Sequence, residues 1–506
     1  MSSKKSLVNS YEELLTKYKE NTLLSNINSI IFWDYEVMMP DKGVAQRSEE
    51  RSFLEGIIHE RRTSPQIGKL LKSVKSHNDY STLSFPQKRN IELLQRHYDK
   101  DTTIPKEFAV KLTRHSALAT EKWKKAKKQA DFSIFKEPLK KMIELKKQEA
   151  HYYDPDKDPF DVLLDHNEKG LNKKLYDEIF SMIKQGLLPL IEKCTSANDQ
   201  PDELILQRKC PVSIQKKLVK DIAHLVNYDL AGGRIDEAVH PFTTGYYDDI
   251  RITVRYNPTD FTQAFFAALH ESGHALYNQN YPEDHKWEPI GAASSSAMHE
   301  GQARFIENII GRSRSFWKFY YPRFQELTGD IFADVPFDEF IRAINIITPS
   351  KIRIHADPVT YSMHIILRYE LEKALFEDNL SVDELPQFWN EKMEDYLGVE
   401  IENDAEGILQ DTHYAWGLFG YFPTYSLGSY YNGQFVKQLD KDIPDWKDHL
   451  QQGNISIIHD WLNESIRSKG NLFDPLDLVE EVTGEPFTPR YFIDEMHTKY
   501  TTIYDL

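Results

Sequence analysis

The stretch from residue 258 to residue 279, PTDFTQAFFAALHESGHALYNQ, decides the fold and contains the HExxH motif His270-Glu271-Ser272-Gly273-His274. Asp260 precedes the apolar run as a candidate N-cap, and Gln263 follows three residues later, as in a capping box. Pro258 lies upstream of the first turn, where a proline does not interrupt the hydrogen-bond ladder. The stretch therefore predicts a single uninterrupted helix.

The spacing within the motif indicates a metal site. Residues four apart lie one above the other on a helix, so His270 and His274 can direct two imidazoles to one ion. Glu271 is rotated to the side of that pair, where a carboxylate can accept a proton from a water molecule on the ion. Phe265 and Leu269 lie on the opposite face, which is predicted to pack in the core.

A catalytic zinc ion usually has three protein ligands and one open position. The next predicted helix, residues 292–312, offers His299, Glu300 and Glu307. The distance along the chain allows that helix to fold back onto the first one. A glutamate on a helix is usually solvated, so the residues alone do not decide whether Glu300 is the third ligand or a surface side chain. Glu307, two turns further on, is predicted to orient a ligand from behind.

Composition excludes several classes of function. The chain has 506 residues, 40% of them hydrophobic and 28% charged, which favours a globular protein with a large core. A net charge of −17 argues against nucleic-acid binding and against docking on anionic membranes. The only two cysteines, Cys194 and Cys210, form no disulfide framework and predict free thiols. The polar N-terminal stretch and the lack of an 18-residue apolar run predict a cytoplasmic protein.

Hydrophobic periodicity predicts a mainly helical chain with one small sheet. The β-branched residues between 233 and 257 predict that sheet directly before the HExxH helix, and His240 at its start is interpreted as a buried structural histidine. No repeat or linker divides the chain, so residues 1–506 are predicted to form one unit. Further helices are predicted over 6–30, 46–61, 65–76, 85–100, 105–130, 173–195, 213–227, 314–328, 337–348, 359–377, 382–396 and 445–468.

Several separate stretches, taken together, resemble the carboxypeptidase Taq family of thermostable metallocarboxypeptidases. HExxH is shared by many metallopeptidases, but the ordered set is specific to this family and spans nearly the whole chain. The stretches are residues 33–40, 240–242, 249–253, the HExxH helix with 299–302, 352–357, and 407–413 with its extension 419–425.

The resemblance implies a large helical metallopeptidase with a deep central groove, similar to neurolysin-like enzymes. It implies that the protein releases single C-terminal amino acids from peptides, with broad specificity, and forms a homodimer. It assigns His270, His274 and Glu300 to the metal and Glu271 to the general base. The expected ion is Zn²⁺, with Co²⁺ or Mn²⁺ as alternatives.

The resemblance also implies how the substrate is held. Arg353 matches an arginine that binds the C-terminal carboxylate, for which a planar fork of donors is suited, and Gln410 is predicted beside it. His413 matches a histidine that lines the groove. His413, Tyr421 and Tyr425 are the donors available to a tetrahedral oxyanion, although tyrosines of this kind are often aromatic core.

Two departures from the family pattern concern substrate preference. Tyr414 replaces the expected tryptophan, the stretch Ala415-Trp416-Gly417-Leu418 follows where small residues are usual, and Gly301 replaces a serine. Two other functions remain open at this stage. One is an endo-acting oligopeptidase that uses the same site, and the other is a silent scaffold in which a closed zinc site only joins helices.

Overall fold

The computed structural model describes the backbone of residues 2–506 and the side chains from residue 7 onward. The chain is mainly helical, as predicted, with a three-stranded sheet. The helices before the sheet are α1 (Ser2–Val37), α2 (Val44–Arg62), α3 (Pro65–Lys75), α4 (Phe85–Thr103), α5 (Lys106–Gln129), α6 (Ser133–Tyr153), α7 (Pro159–Asn167), α8 (Lys173–Thr195) and α9 (Val212–Leu225).

The strands and the remaining helices complete the chain. The strands are β1 (Gly233–Glu237), β2 (Thr243–Tyr246) and β3 (Asp249–Val254). The helices that follow are α10 (Phe261–Gln279), α11 (Ser296–Arg304), α12 (Arg314–Thr328), α13 (Phe337–Ala343), α14 (Tyr361–Phe376), α15 (Leu385–Leu397), α16 (His413–Trp416), α17 (Thr424–Asp442), α18 (Trp446–Gln451), α19 (Ser456–Ser465), α20 (Pro475–Thr483) and α21 (Arg490–Tyr504). A π-helical turn, Phe305–Ile310, continues α11.

The predicted HExxH helix is confirmed as α10. Asp260 caps it by accepting a hydrogen bond from the Thr262 backbone N–H at 3.1 Å. Gln263 donates to the Asp260 carboxylate at 2.9 Å instead of forming the reciprocal backbone bond of a capping box. Phe265 and Leu269 are buried, so this face packs in the core as predicted.

The sheet has the strand order β1-β3-β2. β1 runs parallel to β3, and β2 runs antiparallel to it with Thr243 opposite Ile252. Ile250 and Ile252 of the central strand are fully buried. β2 therefore lies at one edge, and its first residue reaches α10.

Glycines set the distance between the helices that carry the site. A Cβ on Gly273 of α10 would lie 2.6 Å from the Ala303 Cα of α11. A Cβ on Gly428 of α17 would lie 2.5 Å from the Gly301 backbone nitrogen of α11. Because neither position has room for a side chain, α11 is held closely between α10 and α17.

Some predicted boundaries are wrong. The first helix continues past residue 30 to Val37, and the helix predicted over 337–348 ends at Ala343. The stretch 445–468 forms two helices rather than one, because Gly453 adopts a φ of +80° that ends α18. The helix predicted over 292–312 begins only at Ser296 and changes to π geometry at Phe305.

Buried apolar residues form one large cluster, a smaller one near the N-terminus and a third that joins the sheet to α9 and α10. The small cluster includes Leu7, Leu14, Leu71 and Ile91, and it joins α1, α3 and α4. Within residues 2–506, none of the helices combines the length and apolar character required to cross a bilayer.

Candidate active site

Three side chains from α10 and α11 converge as a potential metal site. Glu300 Oε2 lies 3.9 Å from His270 Nε2 and 3.8 Å from His274 Nε2. One ligand atom from each residue lies within 4.8 Å of the others, and no fourth His, Cys, Asp or Glu of the described chain joins them. Nitrogen and oxygen donors bind zinc at about 2.0–2.2 Å, so a small contraction brings all three onto one ion. The donor set therefore fits a divalent metal with an open position.

The other polar atom of two of these side chains is occupied by a neighbour. Glu307 Oε2 lies 3.0 Å from His270 Nδ1, which directs Nε2 toward Glu300. Arg304 Nε donates to Glu300 Oε1 at 2.7 Å, which leaves Oε2 facing the imidazoles. Burial would raise the pKa of Glu307, but the hydrogen bond with His270 and the nearby Arg312 lower it to about 2. These outer partners fix the orientation of the potential ligands.

Glu271 lies beside this group and is held by the sheet. Its side chain is only 6% exposed, and burial is the main reason that its pKa is raised. Thr243 Oγ1, at the start of β2, donates to Glu271 Oε2 at 2.6 Å. A carboxylate with a raised pKa and one fixed oxygen is suited to accept and return a proton. No sequence pattern indicates the contact with Thr243, because it joins residues from different elements.

A cleft of about 800 Å³ lies beside the potential metal site, and His270 is the potential ligand that lines it. His270, Glu271 and Arg304 line one part of it, and Tyr361 lines another. His240 also lines the cleft and is exposed, so the prediction of a buried structural histidine is wrong. His240 lies outside the three-residue group that could hold an ion.

Arg353 belongs to a buried ionic cluster. Its Nη2 donates to Asp411 Oδ1 at 2.8 Å, while Arg368 Nε donates to Asp411 Oδ2 at 2.8 Å. Arg368 is fully buried, and Arg353 is 8% exposed. Two guanidinium groups therefore share one carboxylate, which leaves an excess positive charge at the more exposed arginine. Sequence reasoning overlooked Arg368 and Asp411 as partners, because nothing in a helical pattern separates them from surface charges.

Tyr361 connects this cluster to the potential metal site. Arg353 Nη1 donates to the Tyr361 hydroxyl at 3.1 Å. The Arg304 guanidinium lies over the Tyr361 ring, 4.4 Å from its centroid, and its Nε binds Glu300. A continuous chain of polar contacts thus runs from Asp411 to Glu300. Tyr361 and Arg304 are site residues that the sequence did not single out.

Gln410 does not offer a free polar atom to a ligand in this structure. Its Nε2 donates to the backbone oxygens of Lys351 and Glu406, and its Oε1 accepts from the Arg353 backbone N–H and from Arg368. Each donor and acceptor of the amide is therefore used. These contacts indicate that Gln410 fixes the loop that carries Arg353. The sequence had instead predicted that Gln410 contacts the substrate.

His413, Tyr421 and Tyr425 lie together beside Arg353. His413 Nε2 is 3.1 Å from the Tyr425 hydroxyl, and the rings of Tyr421 and Tyr425 meet edge to face at 5.1 Å. Burial is the main cause that lowers the pKa of His413 to about 4, and Arg353 lowers it further. The two tyrosines are half-buried rather than enclosed in the core. Burial and the charge of Glu300 both raise the pKa of Tyr421.

Two of the positions that depart from the family pattern, Tyr414 and Gly301, are packing features, whereas Trp416 is half-exposed with its ring centroid 6.0 Å from that of His413. Tyr414 is 2% exposed and stacks on Phe419 with centroids 5.4 Å apart, so it is part of the core. A Cβ on Gly301 would lie 3.0 Å from the Gly428 carbonyl oxygen, so glycine suits the close approach of α11 and α17. Both positions are buried, which assigns them to packing rather than to substrate contact.

Comparison with known proteins places the chain in a family. A family model described as Carboxypeptidase Taq (M32) metallopeptidase matches residues 13–500. Carboxypeptidase 1 of Bacillus subtilis (strain 168) is 37% identical over 503 residues, covering 98% of this chain and 99% of that protein. Thermostable carboxypeptidase 1 of Thermus thermophilus is 35% identical over 504 residues, with the same coverage of 98% and 99%.

A solved structure is similar over the same length. The crystal structure of an M32 carboxypeptidase from Deinococcus radiodurans R1 superimposes with a TM-score of 0.95 at 30% identity, covering 98% of this chain and 100% of that one. The similarity in fold and the family match therefore both extend over nearly the whole sequence. The chain belongs to the carboxypeptidase Taq (M32) family and is a metal-dependent carboxypeptidase.

Proposed function

We propose that the protein releases single amino acids from the free C-terminus of peptides with broad specificity, using an ion held by His270, His274 and Glu300. The observation that carries this proposal is the polar chain from Glu300 through Arg304 and Tyr361 to Arg353. This chain supports the proposal because it links, through Arg304 and Tyr361, a group suited to bind a carboxylate to a group suited to bind a metal.

Recognition of the C-terminus is assigned to Arg353. Asp411 neutralises only one of the two guanidinium groups that it contacts, so a substrate carboxylate would complete the charge balance. Arg368 is fully buried and cannot meet a ligand, whereas Arg353 is slightly exposed. A planar guanidinium binds a carboxylate through parallel hydrogen bonds, and this contact sets which peptide bond lies next to the ion.

Proton transfer is assigned to Glu271. A divalent ion at this site would lower the pKa of a nearby water molecule and polarise the scissile carbonyl. Glu271 accepts the proton of the attacking water and then donates it to the leaving amine. The hydrogen bond from Thr243 holds one carboxylate oxygen, so the other oxygen is directed to this transfer.

Stabilisation of the oxyanion is assigned to His413, Tyr421 and Tyr425. A low pKa keeps the His413 imidazole neutral, so one of its nitrogens donates a hydrogen bond and the other can accept a hydrogen bond. The raised pKa of Tyr421 keeps its hydroxyl protonated as a donor. Neutral donors held in place by packing stabilise developing negative charge without reorganising.

The test uses one peptide in two forms, with a free C-terminal carboxylate and with a C-terminal amide. Mass spectrometry of the zinc-loaded enzyme should show stepwise loss of single residues from the acid and no cleavage of the amide. Internal fragments from both forms would overturn the proposal in favour of an endo-acting oligopeptidase. Absence of any cleavage with Zn²⁺, Co²⁺ or Mn²⁺ would favour the silent scaffold.

The identity of the ion, the assembly and the cellular location are further parts of the proposal. The nitrogen and oxygen donor set supports zinc, with Co²⁺ or Mn²⁺ as alternatives. Cys194 and Cys210 are both buried free thiols, and burial raises the pKa of each to about 11, which suits a cytoplasmic protein. We expect residues 1–506 to form a single catalytic domain and two copies of the chain to form a homodimer.

A further inference from the structure

A second cavity lies next to the residues that support the potential metal site. It has a volume of about 580 Å³ and is bordered by the end of the π-helical turn, the start of α12, α13, α18 and α21. This volume is within the range of about 300–1,000 Å³ that is typical of small-molecule sites. The cavity shares no lining residue with the carboxylate cluster of Arg353 and Asp411.

Cations outnumber acids in the lining of the cavity, although the chain as a whole carries a net charge of −17. Its charged lining residues are the cations Arg312, Arg314, Arg342, Lys447 and Lys499 and the acids Asp338 and Glu495. Ser313 caps the first turn of α12 at this cavity, so the positive end of the helix dipole adds to the potential.

Two of the cations, Lys499 and Arg312, retain hydrogen-bond capacity toward the cavity. Arg314 is paired with Asp338, and Arg342 is paired with Asp199 at 3.0 Å. In contrast, no carboxylate within the described chain lies within ion-pair distance of Lys499 Nζ, and burial together with the charge of Arg312 lowers its pKa to about 7. Arg312 has a long contact with Glu307 Oε1 at 3.7 Å, and its Nε has no hydrogen-bond partner. Arg312 and Lys499 can therefore accept a bound anion, which would also stabilise the protonated form of Lys499.

The uncharged lining combines serine, threonine and asparagine side chains with four apolar ones. Ile309, Ile341, Ile503 and Trp446 contribute to the walls. An inorganic ion would make no use of these apolar walls, whereas an organic anion places an apolar body against them. The cavity is therefore matched to a ligand with a carboxylate or phosphate head and an aliphatic or aromatic body.

Arg312 connects this cavity to the active site. It lines both the cavity and the cleft that contains His270, and its guanidinium stacks on Phe266 with a centroid distance of 3.8 Å. Its Nη2 lies 3.7 Å from Glu307 Oε1, and Glu307 Oε2 binds His270 Nδ1. An anion that binds Arg312 would compete with Glu307 for it and so alter the support of His270.

We propose that this cavity is a second binding site, which takes a small organic carboxylate or phosphate at Lys499 and Arg312, and that its occupancy changes catalysis through Glu307. The site is distinct from the substrate cleft and goes beyond the proposed peptidase activity. It gives the enzyme a means to respond to an anionic metabolite.

Calorimetric titration of the zinc-loaded protein with benzoate, phenyl phosphate and inorganic phosphate tests the binding. We expect one of the two aromatic anions to bind more tightly than inorganic phosphate, and this comparison identifies the preferred head group. Binding should weaken by about tenfold or more in Lys499→Met, because a charge-assisted contact is lost. Thr502→Trp, which places a large ring at an exposed position on the rim, should also weaken it.

Arg353→Gln separates this site from the substrate site and should leave the aromatic anion bound. Equal affinity in the unmodified protein, Lys499→Met and Thr502→Trp would overturn the proposal, as would loss of binding in Arg353→Gln alone.

Kinetics test the coupling. A saturating aromatic anion should change kcat/KM at least about twofold through the shifted contacts, and Lys499→Met should remove that change. Binding without a Lys499-dependent change in kcat/KM would overturn the coupling to Glu307.

Discussion

Glu271 is a buried carboxylate with one oxygen fixed by Thr243 and the other available for proton transfer. Replacing it by glutamine keeps the size and the hydrogen bond but removes the basic oxygen. We expect Glu271→Gln to bind zinc normally and to lower kcat by about 10³-fold or more, near the upper range for general-base catalysis. Metal analysis of the purified variant and steady-state kinetics measure the two effects.

The control for this substitution is Glu283→Gln. Glu283 has the same side chain but is 74% exposed and lies outside the cleft. Its variant should keep the kinetics of the unmodified protein. A Glu271→Gln enzyme with full zinc content and near-normal turnover would show that another group accepts the proton.

Arg353 can be tested without breaking the cluster that holds it. In Arg353→Gln the buried Asp411 keeps Arg368 as a counterion at 2.6 Å, so we expect a folded protein. Loss of the carboxylate contact should lower kcat/KM for free C-termini by about 10²-fold or more, corresponding to about 3 kcal/mol. Kinetics with a free and an amidated peptide should show that the preference for the free form is largely lost.

Lys351→Gln is the matched control for Arg353. Lys351 is a nearby cation whose partners are Glu402 and Glu406 on the surface rather than Asp411. Its removal should leave kcat/KM and the preference for free C-termini unchanged. An Arg353→Gln enzyme that still rejects amidated peptides would assign recognition of the carboxylate to a different residue.

The contact between α10 and α11 depends on Gly273. A methyl group there would lie 2.6 Å from Ala303 Cα and 2.7 Å from the Gln302 carbonyl oxygen, both of which are backbone atoms. Gly273→Ala should therefore separate His270 and His274 from Glu300. We expect an overpacking cost of about 1–3 kcal/mol in the free energy of unfolding and a clear loss of zinc affinity. Thermal unfolding and competition with a chelator measure them.

Gly56→Ala is the control for this substitution. Gly56 lies in α2, and a methyl group on its Cα would have no atom within 4 Å apart from its chain neighbours and the backbone of its own helix, so alanine meets open space. It should raise helix stability by about 0.5–1 kcal/mol and leave zinc affinity unchanged. Equal zinc affinity in Gly273→Ala and Gly56→Ala would mean that the close approach of the two helices does not determine the geometry of the ligands.

The helix pair also shows how far the sequence leads. HExxH spacing and a capped apolar run predicted α10, because the information lies within one element. The partners of the site come from other elements: Thr243 from β2, Tyr361 from α14 and Asp411 from a loop. No local pattern identifies such contacts. His240 was misinterpreted for the same reason, since its exposure depends on how the cleft forms around it.

At the scale of the whole molecule, an acidic chain surrounds two basic centres. The net charge is −17, yet the Arg353 cluster and the cavity at Lys499 each hold excess positive charge. The net charge argues against nucleic-acid and anionic-membrane binding, but composition does not show how charges are distributed after folding. The Arg353 cluster and the cavity at Lys499 are therefore the local positions at which we propose that this acidic chain binds anions.

Removal of the metal tests whether the ion belongs to the chemistry or to the fold. The potential ligands come from helices that are joined independently of them, through Gly273 against Ala303 and Gly301 against Gly428. We therefore expect a chelator to abolish turnover while the helical circular dichroism persists. The thermal midpoint should fall modestly, because a ligand that binds the folded state stabilises it by mass action, about 2.7 kcal/mol at 100 times its Kd. Adding Zn²⁺ back should restore both activity and midpoint, whereas cooperative unfolding on chelation at ambient temperature would assign the ion a structural role.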